Sequence, residues 1–189
     1  MIIIEKALKN TLPEDYYYGI GSSSKVKHSF LQPLLDISSK YFSFDDAKSY
    51  EYWQRDFKDG AMYSLDWHID YDTKSFDNDK LVTPIFSLVY YPFISGMVGG
   101  EICFEDEAYK PKENSLVLFD PCMWHKVNSG FCKRRTSFML NVYKEEGVKH
   151  HSYNSAVVQD TWVGIKNPKE IPNSSLEKTK KLMEKHERR

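Results

Sequence analysis

Leu65-Asp66-Trp67-His68-Ile69-Asp70 sets a histidine and a carboxylate two residues apart at the end of an apolar and aromatic run, Met62 to Ile69. Side chains on an extended strand alternate between its faces, so His68 and Asp70 project the same way, as a two-pronged grip on one metal ion. Working outward, short runs of the same character recur at Val82 to Tyr91, Glu101 to Phe104, Ser115 to Phe119, His125 to Val127 and Thr136 to Tyr143, rich in β-branched and aromatic residues. Gly, Pro, Asn and Asp punctuate them as turn formers. Many short strands at this spacing predict a mainly β protein, a sandwich or a barrel.

The flanks read differently. Phe30, Leu31, Leu34, Leu35 and Ile37 recur at helical spacing, and Phe44 to Trp53 reads as a second helix entered at Ser43. Near the other end Ser174-Ser175-Leu176-Glu177 has the form of a capping box. It leads into the charged stretch Lys178 to Arg189, with Leu176, Thr179, Leu182 and Met183 on one possible face of a terminal helix. No repeat or low-complexity linker interrupts the chain. The expected organisation is a single domain: residues 1–56 supply a support strand and helices, 57–145 the catalytic core, and 146–189 an extension ending in the helix.

Composition bounds the function. The 189 residues hold 26 Lys and Arg against 27 Asp and Glu, a balance that does not advertise a polyanionic partner, so nucleic acid is not expected. The opening Met1-Ile2-Ile3-Ile4 run meets charge at Glu5 and Lys6, too soon for a leader or a membrane span, and a cytoplasmic protein is expected. Cys103, Cys122 and Cys132 are odd in number and lack C-x-x-C spacing, which argues against both a disulfide framework and a structural zinc site. Aromatic residues make up 15% of the chain and suit both strands and pockets for small organic ligands.

A third nitrogen ligand is available at His125, in Trp124-His125-Lys126-Val127, 57 residues after His68. Two neutral imidazoles and one carboxylate on one face of an octahedral ion leave three adjacent positions open, as iron(II) oxygenases require. An H-x-D pair alone is common in solvated loops and turns, and a lone histidine is usually a hydrogen-bonded structural residue. His28, His150, His151 and His186 lack a comparable setting and read as ordinary residues, with His150-His151 a marginal alternative.

The order of the surrounding segments adds specificity. From about Phe57 to Tyr143 the chain resembles the iron(II) and 2-oxoglutarate dioxygenase superfamily, in particular its prolyl-4-hydroxylase-like branch. Ile85-Phe86-Ser87-Leu88-Val89-Tyr90-Tyr91-Pro92, then Gly99-Gly100-Glu101-Ile102-Cys103-Phe104, are similar to the family's strand and G-G-E-L-x-F signature. Lys110 to Asp120 resembles its P-x-x-G-S-L-V-L-F segment, and Arg135-Thr136-Ser137 its R-x-S strand. The resemblance implies a double-stranded β-helix core, of jelly-roll or cupin-like type, with flanking helices. It implies iron(II) on His68, Asp70 and His125, with 2-oxoglutarate and O2 as co-substrates. It further implies Arg135 on the distal carboxylate of 2-oxoglutarate, with Ser137 adding a hydroxyl. Strand alternation independently separates Arg135, which shares a face with Ser137, Met139 and Asn141, from Arg134 on the other. The implied reaction is hydroxylation of an unactivated C–H bond with conversion of 2-oxoglutarate to succinate; halogenating relatives replace the carboxylate that Asp70 supplies.

Departures from the pattern are specific. Phe57 stands where the family commonly has a tyrosine, so a hydroxyl partner for the co-substrate is missing there. Tyr63 could substitute, or could simply pack in the core, since it lies an odd number of residues from His68. Asn114 replaces a glycine, and Asn best adopts the same left-handed backbone. Gly99-Gly100 suits positive φ at the rim of a sheet, and Glu101 could face the site or solvent. Asp72 to Lys80 reads as a polar loop able to cover a site that Trp67, Tyr71, Tyr90, Tyr91 and Trp124 adjoin in sequence. The expected substrate is a small polar metabolite or amino acid. Alternatives are a peptidyl, prolyl-type side chain and a cupin-type barrel that binds metal without oxidative chemistry.

Overall fold

The computed structural model describes residues 1–9, 18–21, 31–43, 45–62, 64–72 and 80–145. Along the chain run β1 (Ile2–Glu5), β2 (Tyr18–Gly21), α1 (Leu31–Ser38), β3 (Ser49–Met62), β4 (Leu65–His68), β5 (Phe86–Ser95) and β6 (Val98–Gly99). Then follow β7 (Ile102–Phe104), β8 (Ala108–Tyr109), β9 (Ser115–Phe119), β10 (His125–Val127) and β11 (Gly130–Tyr143). The strands form two antiparallel sheets, β1-β9-β5-β11-β3-β2, with β6 pairing β11, and β4-β10-β7-β8. Without β1, β2 and β6, the remaining strands, counted along the chain, lie in the order first-eighth-third-sixth in the large sheet and second-seventh-fourth-fifth in the small one. That order is two Greek keys wound into a jelly roll, the double-stranded β-helix.

The large sheet is covered on both faces, which explains why Ser115-Leu116-Val117-Leu118-Phe119 is buried without a polar alternation. Leu116 and Leu118 join Phe86, Leu88, Tyr90, Phe138 and Leu140 under α1, whose Leu31 and Leu34 are fully buried. Each of those leucines contributes about 1.5–3 kcal/mol of burial. Val117 and Phe119 turn the other way, toward Tyr91 and toward Ile102, Phe104 and Tyr109 of the small sheet. The site lies between the sheets, on this second side.

One expected element is corrected. Among the described residues the expected second helix is replaced by a strand: Ser49–Trp53 open β3, 14 residues long, which crosses the expected boundary at residues 56 and 57 and pairs with β11 along its length. Tyr50 and Tyr52 face the α1 side, whereas Trp53, Arg55 and Phe57 face the pocket, so apolar residues on both faces imitated a helical pattern. Elsewhere the strands shift in extent: the Met62 to Ile69 run divides between the end of β3 and β4, and β5 starts at Phe86 and continues past Tyr91 to Ser95. Among the described residues no helix is long and apolar enough to cross a membrane. The expected terminal helix and most of the Asp72 to Lys80 loop lie outside the described residues.

Two backbone features position the site. Against β11 the partners of β5 jump from Thr136↔Phe93 to Phe138↔Tyr90, so Tyr91 and Pro92 together oppose Ser137. A proline, which cannot donate to the ladder, sits in a bulge without loss of a bond. At the entry to β9, Asn114 has φ +56°, and its carboxamide accepts from the Leu8 N–H at 3.0 Å and the Tyr90 hydroxyl at 2.9 Å while donating to the Leu8 carbonyl at 2.8 Å.

Candidate metal centre

His68 ends β4 and His125 begins β10, and the register of the small sheet pairs them directly, with ring centroids 4.1 Å apart. Asp70 follows two residues beyond His68, its own N–H donating to the Pro121 carbonyl at 3.0 Å. Its Oδ1 lies 4.0 Å from His68 Nε2 and 3.9 Å from His125 Nε2. Those separations are too long for hydrogen bonds, and all three donor atoms fall within 4.8 Å of one another. They converge on a shared point.

Both imidazoles are oriented by the same device. His68 Nδ1 is 2.7 Å from the Asp66 carbonyl, and His125 Nδ1 is 2.9 Å from the Met123 carbonyl. A proton held on each Nδ1 leaves Nε2 with its lone pair free toward Asp70, the tautomer that a metal ligand needs. Burial, then the neighbouring His125 charge, lowers the His68 pKa to about 4, against opposing effects of Asp70 and the Asp66 carbonyl; Arg55 lowers it further. His68 is therefore neutral at pH 7. Phe119 and Phe104 flank the His125 ring at 4.7 and 5.8 Å between centroids. The donor set, two imidazole nitrogens and one carboxylate oxygen, suits a divalent first-row ion such as iron(II).

The three ligands line a pocket, open at its mouth, that also receives Arg135, Ser137, Met139 and Asn141 from one face of β11. Arg135 is 4% exposed. Its Nη1 lies 3.7 Å from Met62 Sδ, its guanidinium carbon 5.4 Å from the Tyr91 ring centre, and its Nε has no hydrogen-bond partner. Among the described residues no carboxylate pairs with it. A buried cation in this state costs several kcal/mol unless an anion enters beside it. Arg134 points to the opposite face and lies 4.0 Å over the Phe93 ring.

Tyr91 brings to the pocket a hydroxyl that Phe57 does not. Its hydroxyl is fully buried, beside Arg135 in the same pocket. Burial raises its pKa, with the Arg135 charge opposing, so the group is a neutral donor at pH 7. Sequence reasoning left Tyr90 and Tyr91 undivided; alternation, which sets Val89 and Tyr91 on one face, was the signal available to separate them. It missed Arg55 altogether, because the residue falls between the expected helix that ends at Trp53 and the resemblance that begins at Phe57. Tyr63 lies outside the described residues, as do His28, His150, His151 and His186. Glu101 does not line the pocket and accepts from Asn128 Nδ2 at 3.3 Å. Trp67 is 39% exposed beneath Lys126, 5.0 Å from its ammonium, while Tyr90 joins the core under α1. Gly99 and Gly100 have φ of +73° and +75°, and a Cβ on Gly99 would approach the Ser129 carbonyl to 2.5 Å.

No family model matches the chain, and no curated protein matches it. Among solved structures, a Pseudomonas putida prolyl-4-hydroxylase is similar at 20% identity and TM-score 0.43, over 62% of this chain and 63% of that one. The viral collagen prolyl hydroxylase of Paramecium Bursaria Chlorella virus-1, in complex with 2-oxoglutarate, is similar at 14% and 0.45, over 67% and 79%. A Burkholderia pseudomallei oxidoreductase of the 2-oxoglutarate and iron(II) oxygenase family is similar at 16% and 0.40, over 61% of this chain and about half, 52%, of its own length.

Proposed function

We propose that the protein is an iron(II) and 2-oxoglutarate-dependent oxygenase that hydroxylates a C–H bond of a small polar metabolite or amino acid. The observation that carries this proposal is the buried, carboxylate-free guanidinium of Arg135 in the same pocket as the His68, Asp70 and His125 cluster. A metal-binding barrel without oxidative chemistry needs the cluster but not the guanidinium. A dicarboxylate co-substrate needs both.

His68, Asp70 and His125 would hold iron(II). When bound, the ion couples 2-oxoglutarate and O2 to oxygen insertion, giving succinate, carbon dioxide and a hydroxylated product. The protein's own contribution is orientation and exclusion of water. Asp70 cancels one of the two metal charges, and the Nδ1 bonds to Asp66 and Met123 fix the imidazole rings before the metal arrives. Arg135 meets the remote carboxylate of 2-oxoglutarate through parallel guanidinium N–H donors, and the Tyr91 hydroxyl and Ser137 add donors on the same pocket wall. The apolar walls, including Phe119, Ile102 and Val89, strengthen those interactions by displacing solvent.

An intracellular site of action is part of the same proposal, with a small molecule as partner. The test is an anaerobic titration of iron(II)-loaded protein with 2-oxoglutarate, followed by admission of O2. A weak visible charge-transfer band and release of succinate are the expected results, both lost in His68→Ala. Metal binding without the band would favour the non-oxidative barrel instead.

A further inference from the structure

Arg135 is not the sole guanidinium in the pocket. On the β3–β11 ribbon the pairs Phe57↔Arg135, Arg55↔Ser137 and Trp53↔Met139 succeed one another, and all six side chains line the cavity. Two residues along a strand is about 6.6 Å, so Arg55 is rooted one repeat along the wall from Arg135, on the neighbouring strand. Resting on the oxygenase assignment, we infer that Arg55 anchors a carboxylate of the primary substrate, and that the molecule oxidised is a small carboxylate.

Three observations support that assignment. 2-Oxoglutarate brings two carboxylates, one for the metal end of the pocket and one for Arg135, which leaves no anion of the co-substrate for a second guanidinium. The two arginines also stand at different points of the wall: Arg135 opposes Phe57 and lies against Tyr91, while Arg55 opposes Ser137. Anything held by Arg55 therefore shares the pocket with the metal cluster, where a substrate must be. Arg55 is partly exposed where Arg135 is buried, as befits a group that meets the later ligand from the mouth.

Charge points the same way. The lining residues comprise two guanidiniums and one carboxylate. A carboxylate is drawn to such a lining, whereas a cationic or dicationic substrate is repelled. Trp53, next inward-facing on β3, offers a flat apolar wall for the body of such a molecule. Arginine suits the task because its planar fork matches a carboxylate with two parallel bonds.

The test uses protein loaded with zinc(II), which is redox-inert, and saturated with 2-oxoglutarate. Free L-amino acids and aliphatic monocarboxylates of three to six carbons are each paired with their primary amides and measured by calorimetry and saturation-transfer NMR. At least one carboxylate is expected to bind tenfold or more tightly than its amide. Arg55→Gln should erase that preference and Arg55→Lys restore part of it, with thermal melts reporting that both variants fold. In the iron(II) form the 2-oxoglutarate band should persist in Arg55→Gln and vanish in Arg135→Gln. Equal binding of acids and amides, a panel in which no carboxylate binds, or loss of the band in Arg55→Gln would each overturn the inference. Absence of the band from wild-type protein would bring down the oxygenase assignment itself, whatever the acid and amide comparison gave.

Discussion

Arg135 carries its charge into a cavity where its guanidinium lies 3.7 Å from a thioether sulfur and 5.4 Å from the centre of the Tyr91 ring. Such a residue is held for a ligand and against stability. Arg135→Met is therefore expected to stabilise the ligand-free protein, by about 1–4 kcal/mol. The same change should weaken 2-oxoglutarate binding at least about 30-fold, since truncating one partner of a buried charge pair costs about 2–5 kcal/mol. Urea denaturation and anaerobic titration check the two halves, and a destabilised variant that still binds 2-oxoglutarate would refute both. Arg134→Met, on the opposite face, should leave 2-oxoglutarate affinity within twofold. That division between adjacent arginines was legible in the sequence because period-2 alternation decides it. The same rule places His68 with Asp70. Tyr91 was not separated from Tyr90, because the bulge at Pro92 and the register with β11 are properties of the folded sheet.

At the scale of the element, β3 shows why part of the site stayed hidden. A strand in a sheet covered on both faces carries apolar residues in both phases, so Ser49–Trp53 gave no clean alternation and Arg55 lost its context. By contrast, the left-handed backbone at Asn114 was readable, since few residue types adopt it. Its side chain does more than its backbone, tying the segment after β1 and the β5 hydroxyl of Tyr90 to the entry of β9. Asn114→Gly keeps the conformation and loses the bonds, for an expected cost of about 1–3 kcal/mol; Asn114→Ala should cost about 1–2 kcal/mol more through its strained φ. Urea midpoints of the two variants give the order, and equal losses would deny the role of φ. The four-residue β4 is an edge strand, joined to the sheet through β10. A metal bridging His68 and His125 adds a cross-link between those two strands. Zinc(II) at a hundredfold excess over its Kd should raise stability by about 2.7 kcal/mol. It should slow amide exchange first in β4 and β10, and His68→Ala should abolish both effects. Uniform slowing across both sheets would place the metal elsewhere.

Across the whole molecule, the jelly roll buries tyrosines on both sides of its large sheet. Tyr90 lies under α1, Tyr91 lines the pocket, and Tyr143 is buried near the end of β11. Burial raises all three pKa values, that of Tyr90 to about 12 with help from the Glu113 charge, and that of Tyr143 with help from Glu51 and Asp70. Folding therefore favours the protonated hydroxyls, so their stabilising contribution is complete below the ordinary tyrosine value near 10. Above it the unfolded chain releases protons that the native state keeps, and stability falls as pH rises. The limiting slope is about 1.4 kcal/mol per pH unit for each tyrosine, or about 4 kcal/mol per unit for the three together. For Tyr90 the decline ends near pH 12, where the native hydroxyl also ionises. Urea denaturation between pH 8 and pH 11 measures the slope, and Tyr90→Phe should remove about one third of it while lowering stability at pH 8 through the lost bond to Asn114. A variant with the full alkaline slope would mean that the Tyr90 hydroxyl ionises as readily inside the fold as outside it.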